Sequence, residues 1–238
     1  MSSERLLRVL GQLTRDDELT PPMIRICEVG TRLSGTTGAG LMLMAAEVPH
    51  RTVCVTDDVS RAIEDLQHTL GEGPCLDAYH EGQAVLEPDL AHPNRPRWSA
   101  FTPAAVAAGA RAIFGFPLQI GATRLGALNL YRDTSGPLSD EQFADVSVMA
   151  EVAARSVIDL QSHAPPGDLA EELRDGTSYH HVVHQASGMV SVQLGVTVGE
   201  AMVRLRARAF AMEQPLVDVA QAVVARRLRF DEPDGRIP

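Results

Sequence analysis

Residues 111–131, RAIFGFPLQIGATRLGALNLY, set the fold of the larger part of this chain. Arg111 to Ile120 and Thr123 to Tyr131 are apolar runs rich in strand-forming residues, with Gly121-Ala122 between them. They predict an antiparallel pair turning at the glycine. Just downstream, Ser139-Asp140-Glu141-Gln142 is a capping box that opens a helix of about 20 residues. Phe143, Val146, Ala150, Ala153, Ala154, Val157 and Leu160 line one stripe of it, and Val148, Met149 and Val152 widen that surface. A helix so apolar around its girth is expected to pack on two sides, against its own sheet and against a second subunit.

Working upstream, Gly38 to Ala46 and Arg51 to Thr56 read as two more strands. Thr20-Pro21 reads as the start of a helix to about Leu33, and Ser60 as the cap of another through Leu70. Gly71 to Pro74 breaks that helix, and Cys75 to His80 adds one more turn. Leu6, Leu7, Leu10 and Leu13 mark a short amphipathic helix in an N-terminal arm, 1–19. Strands paired in one sheet, with helices before, between and after, describe an α+β domain over 20–162.

Downstream, His163 to Asp168 stops the long helix and begins a linker, 163–176. The remainder is helical. One helix covers about 178–194 and ends at Gly195, a second opens on the capping box Thr197–Glu200, and a third opens on Gln214-Pro215. Short connections make these an all-α three-helix bundle over 177–231, followed by a tail, 232–238.

Composition narrows the function. The 238 residues are 45% hydrophobic and 22% charged, and every basic residue is arginine, a composition associated with GC-rich bacterial genomes. No run approaches the roughly 18 apolar residues of a membrane span, and the N-terminus lacks the pattern of a secretory leader. Cys27, Cys54 and Cys75 are too few and too scattered for a disulfide framework or a zinc site. The expected compartment is therefore the cytoplasm, with no membrane partner. The net charge of −10 is uneven: 1–176 hold 14 arginines against 25 carboxylates, whereas 177–231 hold 6 against 4. A mildly basic end on an acidic body suits a polyanion partner. No HExxH, GxSxG, phosphate-binding glycine loop or metal-spaced Cys/His set is present, so a non-enzyme is expected. His180 and His184 have helical metal spacing without a carboxylate or cysteine beside them, and they read as a solvated face.

Gly71-Glu-Gly-Pro-Cys-Leu-Asp-Ala-Tyr79, Ile113-Phe-Gly-Phe-Pro-Leu118 and Leu125-Gly-Ala-Leu-Asn-Leu130 resemble the GAF family over roughly residues 20–162. That resemblance implies a sensor with a pocket above one face of its sheet, its ligand and cofactor unknown. Cys75, Asp77, Trp98, Phe114, Phe116 and Asn129 are the candidate lining, and each also reads as ordinary core or loop packing.

In the tail, helical angles gather Val182, Val183, Ala186, Met189 and Val190 on a core side and leave His184 and Gly188 opposite. A mid-helix glycine costs about 1 kcal/mol relative to alanine, so a smooth outward face suggests a close-approaching partner. Arg204 and Arg208 share one flank of the second helix, Arg206 lies on the other, and Arg226 and Arg229 point away from the third helix's stripe. Guanidinium groups suit phosphate and base edges. Ala186-Ser-Gly-Met189, Gly195-Val196, Glu200-Ala201, Leu205-Arg206 and Leu216-Val-Asp-Val-Ala220 resemble the ANTAR family over about 178–230. The family commonly has Ala-Lys-Gly where this chain has Ala186-Ser187-Gly188. The resemblance implies binding of paired RNA hairpins by a homodimeric antitermination regulator of actinobacterial type. Gly188 and Arg206 carry over as contacts, and Ser187 as a position. The alternative is a protein–protein module whose face around Gly188 packs on a partner helix, which serine in place of lysine favours.

Overall fold

Strand alternation builds the first unit. The computed structural model describes residues 3–14, 20–45, 48–93, 96–164, 173, 179–212 and 214–230. They fall into two compact units, one drawn mainly from residues 1–176 and the other from residues 177–238. In the first, α1 (Ser3–Leu13) and α2 (Pro22–Ser34) precede β1 (Gly38–Ala45) and β2 (Val48–Val55). Then come α3 (Asp58–Leu70), α4 (Pro74–Glu81), β3 (Val85–Glu87) and α5 (Phe101–Ala108). The predicted hairpin is β4 (Ala112–Ile120) with β5 (Thr123–Arg132), and the long helix is α6 (Asp140–Ser162).

The sheet order is β2-β1-β5-β4-β3, and β1–β5, β5–β4 and β4–β3 pair antiparallel. Period-two alternation gives it two apolar faces. Ala39, Leu41, Phe114, Phe116, Leu118, Leu128 and Leu130 meet α2 and α6. Met42, Met44, Ile113, Ala127 and Tyr131 meet α3, α4 and α5. The α6 box forms as expected: Ser139 Oγ accepts from the Gln142 N–H at 3.2 Å, and Gln142 Oε1 accepts from the Ser139 N–H at 2.9 Å.

One expectation is corrected, and two elements are added to those the sequence predicts. Ser60 does not cap α3. Asp57 does, in extended backbone, and its Oδ1 accepts from the Ser60 N–H at 2.8 Å. Segments β3 and α5 fall in stretches for which the sequence predicts no element, β3 because three residues are too short to show a period. The girth of α6 is covered from within the unit, by the sheet on one side and by α1 and α2 on the other. Arg5 Nε and Arg8 both reach Asp145 Oδ1, at 2.8 and 2.5 Å, and fix α1 there. These contacts cover most of the apolar width of α6 and leave Phe143 and Ile158 exposed.

The second unit stacks α7 (Tyr179–Leu194), α8 (Val198–Ala211) and α9 (Leu216–Val224) around Val183, Ala186, Val190, Ala201, Leu205, Ala209, Leu216, Val219, Ala220 and Val223. Gly195 takes the left-handed turn after α7 at φ +64°, and the Thr197–Glu200 box opens α8. The tail 232–238 and nearly all of the expected linker after residue 164 lie outside the described residues.

Candidate functional site

The first unit does not gather its six pocket candidates into one place. Phe114 and Phe116 lie apart from the other four, because parity turns them toward the α6 layer, where Phe116 lines a cavity of about 520 Å³ with Phe143 and Ala150. In that layer Phe114 lies under the Arg132 guanidinium at 5.7 Å, and Phe116 meets the Phe143 ring at 5.5 Å. Asn129 pairs across the sheet with Gly115 and so faces the α3–α4 layer, which also holds Cys75. Asp77 and Trp98 form a clip on the outer side of α4. The indole Nε1–H donates to Asp77 Oδ2 at 2.9 Å, and Arg97 lies 3.7 Å from the same oxygen. Trp98 holds φ +53°, an uncommon backbone for a bulky residue. Glu72 Oε1 steadies the next turn by accepting from the Ala100 and Phe101 N–H groups, at 2.7 and 2.8 Å.

Around Asn129 lies a buried polar cluster that the sequence reading missed. Glu64 and Gln67 project from α3 into the interior with no exposed surface. Asn129 Nδ2 donates to Glu64 Oε1 at 3.1 Å, and the Cys75 N–H donates to Gln67 Oε1 at 2.8 Å. Glycines make room: a Cβ at Gly40 would sit 2.6 Å from Glu64 Oε1, and one at Gly73 would sit 2.6 Å from Gln67. Three atoms here have no hydrogen-bond partner: Glu64 Oε2, Gln67 Nε2 and Asn129 Oδ1. Such atoms cost about 1–3 kcal/mol each in a folded interior. Burial pushes the Glu64 carboxyl up to about 8, and Asp65 adds to this while the Asn129 amide opposes it. Glu64 is therefore mostly a neutral acid at pH 7, one donor and one acceptor among amides. Burial also pushes the Cys75 thiol well up, reinforced by Glu64, so its place at the start of α4 does not yield a reactive thiolate. The signal for this cluster was present: Glu64 and Gln67 share the helical face that carries Ile63.

The second unit divides its candidates too. Gly188, Arg226 and Arg229 line one groove with Gln185, Met189, Val192 and Gln193, about 590 Å³ in volume. A Cβ at Gly188 would meet nothing within 4 Å, so packing inside the bundle does not require glycine there. Arg226 is exposed and holds φ +58° just after α9. His184 is half-buried on the same helix as Gly188. Ser187 is corrected: it is fully buried, and its hydroxyl donates to the His184 carbonyl at 2.8 Å, so it presents nothing to a partner. Arg204 and Arg208 are exposed on α8 and are not among the groove residues. Arg206 is half-buried, and its guanidinium pKa is drawn down by burial. Arg229, which helical angles place with Arg226 away from the stripe of α9, is a groove residue too, whereas Gln185, Val192 and Gln193 were not nominated and Met189 was assigned to the core side. Among the described residues, no group of three or more His, Cys, Asp or Glu is placed to hold a metal.

A five-stranded antiparallel sheet between helical layers, followed by a three-helix bundle, defines a two-domain α+β and all-α architecture. The GAF domain model matches residues 24–157, and the ANTAR domain model matches residues 171–224. The chain belongs to the GAF family and carries a C-terminal ANTAR domain. GAF domains are sensor domains, ANTAR domains are RNA-binding antiterminator domains, and neither family is catalytic. Among solved structures, the GAF domain from a phosphoenolpyruvate-protein phosphotransferase of Coxiella burnetii aligns at TM-score 0.51 and 14% identity, over 68% of this chain and 98% of that one. The GAF domain of the Acinetobacter phosphoenolpyruvate-protein phosphotransferase aligns at TM-score 0.49 and 10% identity, over 70% and 99%. At 14% identity the likeness to the Coxiella domain is one of fold. No curated protein matches the chain. Among the described residues, no single helix is long and apolar enough to cross a membrane.

Proposed function

We propose that this protein is a signal-responsive antitermination regulator. Its ANTAR domain binds tandem RNA hairpin loops, under control of a small polar molecule sensed by the GAF domain. The observation that carries the reading is the α7–α9 groove, where an unobstructed Gly188 lies with Arg226 and Arg229. Arginines beside a surface with no Cβ give phosphate and base edges both charge and close approach. Arg204 and Arg208 add exposed charge on α8, and His184 and Arg206, both half-buried, complete the set of contact candidates. The signal reading rests on the unpartnered donor, acceptor and carboxyl at Gln67, Asn129 and Glu64.

Two substitutions test the RNA reading against an intact tandem-hairpin RNA and a loop-scrambled control, at two salt concentrations. Arg226→Ala is expected to weaken binding to intact loops about tenfold and to flatten the salt dependence. Gly188→Ala is expected to stabilise the folded bundle by up to about 1 kcal/mol while weakening RNA binding. Equal affinity for both RNAs, unmoved by either substitution, would end this reading.

We also propose that the protein acts as a homodimer, which presents two such faces to two hairpins. Supporting this, Leu10 and Ile158 are exposed along a groove of about 690 Å³ between α1 and α6, with Leu7 70% exposed beside them. Ile158→Glu is expected to shift sedimentation toward a monomer, and a wild type that sediments as a monomer at every concentration tested refutes the dimer. A second reading has its own support: Val203, Ala207 and Phe210 are exposed at successive turns of α8, with Phe210 73% exposed. That strip fits a partner helix, and the ANTAR domain would then be a protein–protein module.

A further inference from the structure

Cys27 of α2 and Cys54 of β2 lie 27 positions apart in sequence, yet their sulphur atoms are in hydrogen-bond contact at 2.6 Å, both side chains being buried. The Cys54 thiol is also 3.1 Å from the Met23 carbonyl, an acceptor for its proton. The third cysteine is in the other helical layer, on the far face of the sheet. Two thiols in contact, held by different elements, are set up for a reaction that a lone buried thiol cannot undergo. We propose that Cys27 and Cys54 are a redox-active pair that a hydroperoxide converts, in the folded protein, to an intrachain disulfide linking α2 to the sheet's edge strand.

The chemistry closes with peroxide as the two-electron oxidant. Cys54 gives up its proton, and its sulphur attacks one peroxide oxygen. The O–O bond breaks, leaving a sulfenic acid on Cys54 and one water. The Cys27 sulphur then attacks the sulfenic sulphur. The S–S bond forms, the S–O bond breaks, and the departing hydroxide takes the Cys27 proton as a second water. Cys54 is the natural first target, since β2 ends the sheet and Cys54 is 6% exposed whereas Cys27 has no exposure. Burial pushes the Cys27 thiol well above its ordinary value, with the Cys54 hydrogen bond adding to this. Cys27 therefore stays a thiol and acts second, once Cys54 has been oxidised. The crosslink would tie the edge strand to α2, which itself packs on α6. Oxidation thus bears on the helix that closes the sensor domain.

The test uses the full chain, folded and reduced, with hydrogen peroxide as probe, followed by denaturation and alkylation of remaining thiols. The expected result is one alkylated cysteine, Cys75, and an arginine-specific digest linking peptide 26–32 to peptide 52–61. The thermal midpoint should rise by about 5 °C or more and return on reduction, and neither effect should occur in Cys27→Ser or Cys54→Ala. Three alkylated cysteines after oxidation overturn the proposal. So do sulfinic acid without a crosslink, and a crosslink that involves Cys75 or a second chain. The mass measurement on the wild-type chain decides the matter even if a variant fails to fold.

Discussion

Gly126→Ala is expected to unfold the GAF domain or to destabilise it by about 3 kcal/mol or more. Gly126 lies opposite Leu43 of β1 and Leu118 of β4, beside the register shift at Leu118/Gln119. A Cβ there would sit 2.0 Å from the Met42 carbonyl oxygen and 2.9 Å from the Leu43 Cα. Both obstacles are backbone, so no rotamer change relieves them, and β1 would have to part from β5 in the middle of the sheet. The readout is the urea midpoint followed by circular dichroism. Gly188→Ala serves as the contrasting substitution at a glycine with open space around it. A loss under about 1 kcal/mol at Gly126 would show that the two strands approach less closely than described.

Glu64→Gln is expected to stabilise the protein at neutral and mildly alkaline pH and to do nothing at pH 4.5. The native carboxyl is raised from 4.5 to about 8. A raised acid contributes its full stability below the unfolded value, and loses it progressively as pH climbs from there through the folded value. At pH 7 the wild type forfeits about 3 kcal/mol to keep this group protonated. Glutamine keeps an acceptor for the Asn129 amide and does not titrate. Unfolding free energies measured from pH 4.5 to 8.5 should diverge steadily for the two proteins. Parallel profiles would mean that Glu64 ionises freely in the native state.

The hairpin at 111–131, the box at Ser139 and the box at Thr197 were legible because their causes are local, a turn residue or a cap three positions from its partner. Parity in the strands was not. Whether Asn129 shares a face with Phe114 or with Gly115 depends on the register between β4 and β5, and one residue of slip reverses the answer. That is why the sequence alone groups Phe114 and Phe116 with Asn129, although the sheet puts them on opposite faces. Ser187 misled for a related reason, since helical angle places a side chain on a face but does not say how far a neighbouring helix overhangs it. Glu64 and Gln67 went unnoticed because polar residues on a helix are ordinarily read as its solvated side. On α3 they point inward, where Gly40 and Gly73 leave them room. The double use of Asp145 by Arg5 and Arg8 spans more than 130 residues of sequence and has no local signature.

The clip at Trp98 has an optical consequence. The chain contains one tryptophan, and it is buried, hydrogen-bonded to Asp77 and edge-on to Phe101 with ring centroids 6.1 Å apart. Intrinsic indole emission therefore comes from a single known place, the segment crossing α4 between β3 and α5. A red shift on adding a compound, without loss of helix signal, would mean that this segment had released its indole to water. The GAF domain thus holds a built-in fluorophore, ready for label-free screening of candidate ligands.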